Sequence, residues 1–123
     1  MAKKTLKTLA PQAYTFELVH PIQGETGVTM TIVGTESKEF YTGSVQYNAA
    51  LGSLEDDELT TQKAIEVNAQ LYSNIVKGWS DDEFMGAKCT KKAAASLLKD
   101  FDNQWVSKQI QDVLEVKKNF FAE

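Results

Sequence analysis

Apolar and polar residues alternate in two stretches near the start of the chain, which predicts two β-strands. The first stretch is Tyr14–His20 and the second is Val28–Val33. Pro21 ends the first stretch and the glycine-bearing segment 23–27 supplies a turn, so the strands should pair antiparallel as a hairpin over residues 14–34. Because a two-stranded hairpin is only marginally stable in water, we expect its apolar face to lie on the helices that follow.

The segment from Leu59 to Val76 has apolar residues at helical spacing, which predicts one long helix with a wide apolar stripe. Gly78 stands where a helix C-cap favours positive φ, and Lys77 before it suits the negative end of a helix. Trp79 then follows the predicted cap. An aromatic residue in that position usually folds back onto the end of its own helix, so core packing is favoured for Trp79 over a binding role.

Three further helices are predicted from their capping residues. Ser37 is a suitable N-cap for a first helix, although Gly43 weakens that helix by about 1 kcal/mol relative to alanine. Thr90 is a suitable N-cap for a helix rich in small residues, and either Asp102 or Asn103 caps a last helix.

These elements predict an α+β fold, with an N-terminal antiparallel β-hairpin (14–34) followed by about four α-helices (37–123). At 123 residues the chain suits a single domain, over residues 14–123, preceded by a flexible basic arm over residues 1–13. No apolar run approaches the roughly 20 residues that span a bilayer, and the lysine-bearing start lacks the apolar region of a secretory signal. We expect no membrane contact.

The charge of the chain argues against nucleic-acid binding. The net charge is −4, and all 13 basic residues are lysines. Arginine supplies the planar fork that grips phosphate and guanine, so a mildly acidic chain without arginine is a poor candidate for DNA or RNA. A single cysteine, Cys89, excludes an internal disulfide and fits a reducing cytoplasm.

Residues for catalysis or for metal binding are scarce. His20 is the only histidine and stands beside Pro21, where a turn role is favoured over acid–base chemistry. Cys89 precedes the Thr90 cap, and a helix N-terminus can lower a thiol pKa, which would make Cys89 mildly reactive. The acidic segment Asp81–Glu83 is expected to be a solvated loop. No phosphate-binding glycine motif occurs, so we expect no catalytic residues, no cofactor, no metal site and no enzymatic activity.

A binding role remains, and aromatic residues outside the predicted helix interiors are its candidates. Apolar residues in loops or at termini either cap the core of their own domain or contact a partner, and both alternatives are open here. Met adds a soft, adaptable apolar contact to such a surface. The candidate partner-binding residues are Trp79, Phe84, Met85, Trp105, Phe120 and Phe121.

Val76–Trp79 (Val-Lys-Gly-Trp) closes a predicted helix, a polar loop follows, and a Thr90-capped helix contains the pair Leu97–Leu98. Earlier, Phe16 to Gly27 carries the opening strand and a glycine-bearing turn that leads into the second strand. The order of these motifs resembles that of the tail assembly chaperones of long-tailed bacteriophages. The likeness covers roughly residues 14 to 121.

The resemblance implies a chaperone that coats the long, aggregation-prone tape measure protein and helps recruit tail tube protein around it. Such proteins act in the host cytoplasm and are absent from the finished virion. A homo-oligomer is expected as well, through the small-residue helix after Thr90 and the terminal aromatics. The alternatives are a small head–tail connector or tail component that stays in the virion, and a host adaptor domain unrelated to phage.

Overall fold

The computed structural model describes residues 5–121, and this part of the chain contains three strands and five α-helices. The strands are β1 (Tyr14–His20), β2 (Gly24–Ile32) and β3 (Val76–Trp79). The helices are α1 (Lys38–Gly52), α2 (Thr61–Ser73), α3 (Asp82–Met85), α4 (Lys91–Leu98) and α5 (Gln104–Leu114). Short 3-10 turns lie at Asp56–Glu58, Phe101–Asn103 and Lys117–Phe120. The predicted α+β class is confirmed.

The predicted hairpin is present, and it is part of a larger sheet. β1 and β2 pair antiparallel, with Tyr14 opposite Ile32 and Phe16 opposite Met30. β3 pairs antiparallel with the other side of β2, so the sheet order is β1-β2-β3. Over Met30–Ile32, β2 therefore has a strand paired along both edges, which satisfies the backbone groups of this part of the strand.

The predicted long helix from Leu59 to Val76 is present over Thr61–Ser73, but the prediction is wrong for its C-terminal part. Helix α2 ends at Ser73, and Gly78 lies inside β3 without a positive φ, so it is no helix cap. Ile75 and Val76 are β-branched and are 0% and 7% exposed, so they complete the core beside β2. Pairing with β2 is a tertiary interaction, and it overrides the helical spacing of the apolar residues.

The core lies between one face of the sheet and helices α2, α4 and α5. Alternate residues of β1 and β2 point into it, as the period of a strand requires. Helices α4 and α5 contribute residues four apart, which lie on one face of a helix. Its most deeply buried members are Leu18, Met30, Ile32, Ile75, Leu98 and Ile110.

Helix α1 contacts α2 and contributes little to this core. Gly43 is its one buried residue, and a Cβ placed there would lie 2.9 Å from Leu71 Cδ1. The glycine that weakens the helix thus allows α1 and α2 to approach closely. The predicted caps at Ser37 and Thr90 are confirmed, since each hydroxyl accepts a backbone N–H three residues on.

The start of α5 differs in detail from the prediction. Asn103 occupies the N-cap position, but its side chain makes no capping bond and its Nδ2 donates to the Leu97 carbonyl instead. Asp100 caps the preceding 3-10 turn by accepting from the Asp102 N–H. Within residues 5–121, no helix is both long and apolar enough to cross a membrane.

Candidate partner-binding surface

The six candidate residues lie in three separate places. Trp79, Phe84 and Met85 are close in sequence around α3. Trp105 lies at the start of α5, beside the end of β1. Phe120 and Phe121 lie at the C-terminal end, next to β1.

Phe120 is a core residue, which corrects its assignment as a partner contact. Its side chain is 2% exposed, and its ring meets the Tyr14 ring edge-on with 6.0 Å between centroids. Gly34 lies directly beneath the ring, where a Cβ would come within 2.6 Å of Phe120 Cγ. The Gln12 N–H donates to the Phe120 carbonyl at 2.8 Å. Neighbouring Phe121 is half-buried against the same core.

The predicted flexible arm is only partly described, since residues 1–4 lie outside the described range. Residues 5–10 form an exposed turn in which Thr5 and Thr8 exchange hydrogen bonds. The contact of Gln12 with Phe120 then ties the end of the arm to the C-terminal segment.

The Trp79 indole hydrogen-bonds to both ends of the segment that carries Phe84 and Met85. Its indole Nε1–H donates to Asp82 Oδ1 and to the Ala87 carbonyl, each at 3.0 Å. These two hydrogen bonds hold residues 80–87, here called the α3 clip, against the end of β3. The indole itself is half-buried against the core, so Trp79 packs in its own domain but at the end of a strand, not of a helix.

Local capping shapes the rest of the α3 clip. Asp81 Oδ1 accepts the Phe84 N–H at 3.0 Å, and Gly86 ends the short helix with φ 85°. Ser80 extends the pairing with β2 by donating its N–H to the Thr29 carbonyl. The acidic segment Asp81–Glu83 is exposed to solvent as expected, but it forms the N-cap and first turn of α3 instead of a loop, and Phe84 in this short helix is half-exposed.

A groove of about 510 Å³ runs between the α3 clip and α4, here called the α4 groove. Met85, Ala93 and Leu97 give it apolar walls, and Lys88 and Lys92 stand along it. Lysine stems can extend an apolar surface while their ammonium groups stay in water. The α4 groove is thus suited to an uncharged or acidic segment with an apolar side.

A second groove, of about 380 Å³, lies between the end of β1 and α5. Trp105 lines it together with Val19 and Pro21, and the Trp105 ring meets the His20 ring edge-on at 5.0 Å. His20 Nδ1 accepts the backbone N–H groups of the turn that follows β1. The prediction of a turn role for this histidine is confirmed.

Gln109 closes the outer edge of β1 above this second groove. Its Nε2 donates to the Glu17 carbonyl at 2.6 Å and its Oε1 accepts the Val19 N–H at 3.0 Å. A side-chain amide thus takes the place of a further strand and protects an edge that could otherwise pair with another chain. The sequence signal for it was a polar residue beside the apolar stripe of α5, which alone does not identify an edge cap.

Cys89 does not have the environment of a reactive thiol. Burial raises the pKa of the Cys89 thiol above its ordinary value, and the Asp82 carboxylate raises it further. A raised pKa keeps the side chain protonated near neutral pH, so the expected activation by the helix N-terminus is wrong. Within the described residues, no group of three or more histidine, cysteine or acidic side chains is placed to hold a metal ion.

No protein family, curated protein or solved structure matches the chain.

Proposed function

We propose that the chain is a non-enzymatic tail assembly chaperone of a long-tailed bacteriophage, acting in the cytoplasm of the host cell. In this role it binds the tape measure protein, helps recruit tail tube protein around it, and is absent from the mature virion. The observation that supports the proposal is the α4 groove, whose wall includes Met85, the residue that follows half-exposed Phe84 in the chain. The tape measure protein is proposed as the client because the order of the sequence motifs resembles that of tail assembly chaperones.

The binding logic follows from the chemistry of the two partners. A tape measure protein is a long helical chain with an extended apolar surface, and such surfaces aggregate unless they are covered. The α4 groove offers apolar walls to one side of a client helix. The Trp79 indole holds the α3 clip in place before binding, so less conformational entropy is lost when the client binds.

The overall charge favours the same role. Several copies of a domain with net charge −4 give the coated client a charge that keeps the complex soluble. The lysines beside the α4 groove are a local exception, and they attract the acidic side chains that flank an apolar stripe on a helix.

Pull-down of the tape measure protein from the same phage genome tests this assignment of the surface. Phe84→Ala removes the half-exposed ring, and Ala93→Glu puts a charge into the groove wall; each should reduce the bound client at least severalfold. Ile22→Ala is the matched control, because Ile22 is an exposed apolar residue outside the groove. Equal client binding by all three variants would refute the α4 groove as the client site.

Mass spectrometry of purified virions separates the chaperone from its alternative. A chaperone should be abundant in infected cells and missing from finished particles. Detection of the chain at a fixed copy number per particle would favour a head–tail connector or another tail component retained in the virion.

A further inference from the structure

Helix α1 has a solvent-facing side that is almost without charge. Its exposed positions include Lys38, Tyr41, Thr42, Val45, Asn48 and Ala49, here called the α1 face. Tyr41 is 71% exposed and Val45 is 54% exposed. From Phe40 to Leu54 the chain has no charged residue, although charged residues make up 24% of the whole sequence. Surface helices ordinarily have charged residues on the side that faces water, and loss of charge is typical of the centre of an interface.

The two ends of this neutral face carry opposite charge. Lys38 lies exposed at the N-terminal end of α1, and the exposed acidic run Glu55–Glu58 follows its C-terminal end. A hollow of about 210 Å³ lies at that second end, lined by Leu51, Leu54 and Leu59 together with Glu55 and Asp56. An apolar hollow with carboxylates at its rim suits a lysine, whose stem is apolar and whose tip is cationic.

We propose that the α1 face is the interface of a two-fold symmetric dimer, in which α1 packs antiparallel against α1 of a second copy. Val45 then lies at the two-fold axis, and Tyr41 of each copy packs over the small Ala49 of the other. Lys38 of each copy reaches the acidic hollow of the other. A two-fold interface requires this reciprocity, because the same surface is used on both sides.

The spacing along α1 is consistent with these contacts. Tyr41 and Ala49 each lie four residues from Val45, so an antiparallel crossing at Val45 sets a large residue opposite a small one on both sides. Lys38 lies seven residues before Val45, which brings it level with the partner helix end at Gly52, within about 5 Å of rise from Glu55. The neutral centre excludes a strongly charged partner, because a charge buried there would remain unpaired.

This dimer replaces the surfaces that the sequence suggested for self-association. Ala94 and Leu98 of the small-residue helix point into the core, and so does Phe120. The dimer does not depend on the proposed client, since the α1 face and the α4 groove share no residue.

Sedimentation velocity of the purified full chain is the first test. The molar mass obtained for the wild type should be twice the 13.7 kDa mass of the chain. Val45→Glu sets two like charges against each other at the axis and should raise the dissociation constant more than about tenfold. Val116→Glu is the matched control, because Val116 is 41% exposed and lies outside α1. A wild-type chain that stays monomeric into the submillimolar range would overturn the proposal.

Cysteine cross-linking tests the register without adding a charge. In a Cys89→Ser background, Val45→Cys should form a disulfide-linked dimer, because equivalent residues at a two-fold axis lie within disulfide reach. Tyr41→Cys alone should not cross-link, since two equivalent residues there would be about 12 Å apart along the axis. A mixture of the Tyr41→Cys and Ala49→Cys chains should cross-link. Efficient linkage through Tyr41→Cys alone, or none through Val45→Cys, would overturn the antiparallel arrangement.

Discussion

The contact between Gly34 and Phe120 gives the sharpest prediction for folding, because the two residues should show coupled energetics. Phe120 is 2% exposed and its ring fills the space where a Gly34 side chain would stand. Removing a buried phenylalanine ring typically costs 3–5 kcal/mol, so we expect at least about 3 kcal/mol for Phe120→Ala. A chain of this size should have a total stability of roughly 6–18 kcal/mol.

The opposite change should also destabilise the wild type. Gly34→Ala places a Cβ within 2.6 Å of Phe120 Cγ, so the ring must move out of a well-packed site. Overpacking of this kind costs about 1–3 kcal/mol. The cost comes from the ring alone, because Gly34 does not have the positive φ that would strain an alanine.

The two changes together should behave differently from their sum. Once Phe120→Ala has removed the ring, Gly34→Ala meets no obstacle, and loss of backbone freedom in the unfolded chain should then stabilise by about 0.4–1 kcal/mol. Gly34→Ala thus changes sign between the two backgrounds. The coupling energy of this double-mutant cycle should be well above the roughly 0.5 kcal/mol found for independent sites.

Urea and thermal denaturation of the four chains measure this cycle. At about 4 °C for each kcal/mol, Phe120→Ala should lower the Tm by roughly 12 °C. Phe121→Ala is the matched control, because Phe121 is only half-buried, and it should cost clearly less. Additive effects of Gly34→Ala and Phe120→Ala, or a Tm unchanged by Phe120→Ala, would refute the placement of the ring on Gly34.

Three further predictions concern the partner surface and the sheet edge. Trp79→Phe keeps the packing but removes the indole hydrogen bonds to Asp82 and Ala87. It should lower the free energy of unfolding by about 1–2 kcal/mol and weaken client binding more than Ile22→Ala does. Unchanged client binding would mean that these bonds do not prepare the α3 clip for the client. Gln109→Leu leaves the Glu17 carbonyl and the Val19 N–H without their side-chain partner. The free energy of unfolding should fall by about 1–3 kcal/mol, and the chain should aggregate more. Unchanged stability in urea would contradict the edge-cap role. Because its pKa is raised, the Cys89 thiol of the folded chain should react with iodoacetamide more slowly at pH 7 than in urea, and faster as the pH rises; equal rates would contradict its protonated state.

Local signals in the sequence predicted the parts of the fold that depend on neighbouring residues. The caps at Ser37 and Thr90 and the hairpin of β1 and β2 each follow from a few adjacent residues, and the structure has all of them. A hydroxyl cap and a glycine-bearing turn form their backbone hydrogen bonds locally, so they can be predicted without knowledge of tertiary contacts.

The errors arose where distant parts of the chain meet. Val76 continues the helical spacing of α2, but the pairing of Val76–Trp79 with β2 decides the conformation of this segment. Phe120 was assigned to a partner surface, but Gly34, far earlier in the sequence, leaves room for its ring in the core. Of the candidate site, Phe84 and Met85 were predicted by type and position, whereas the α4 groove required knowing how the α3 clip closes.

Co-expression with the tape measure protein of the same phage is the decisive test of the proposed chaperone function. We expect the tape measure protein to be insoluble alone and to become soluble with this chain. The two should elute together from a size-exclusion column, with several copies of the chain on each client. A tape measure protein that stays insoluble beside abundant, folded chain, or that elutes apart from it, would contradict the chaperone function.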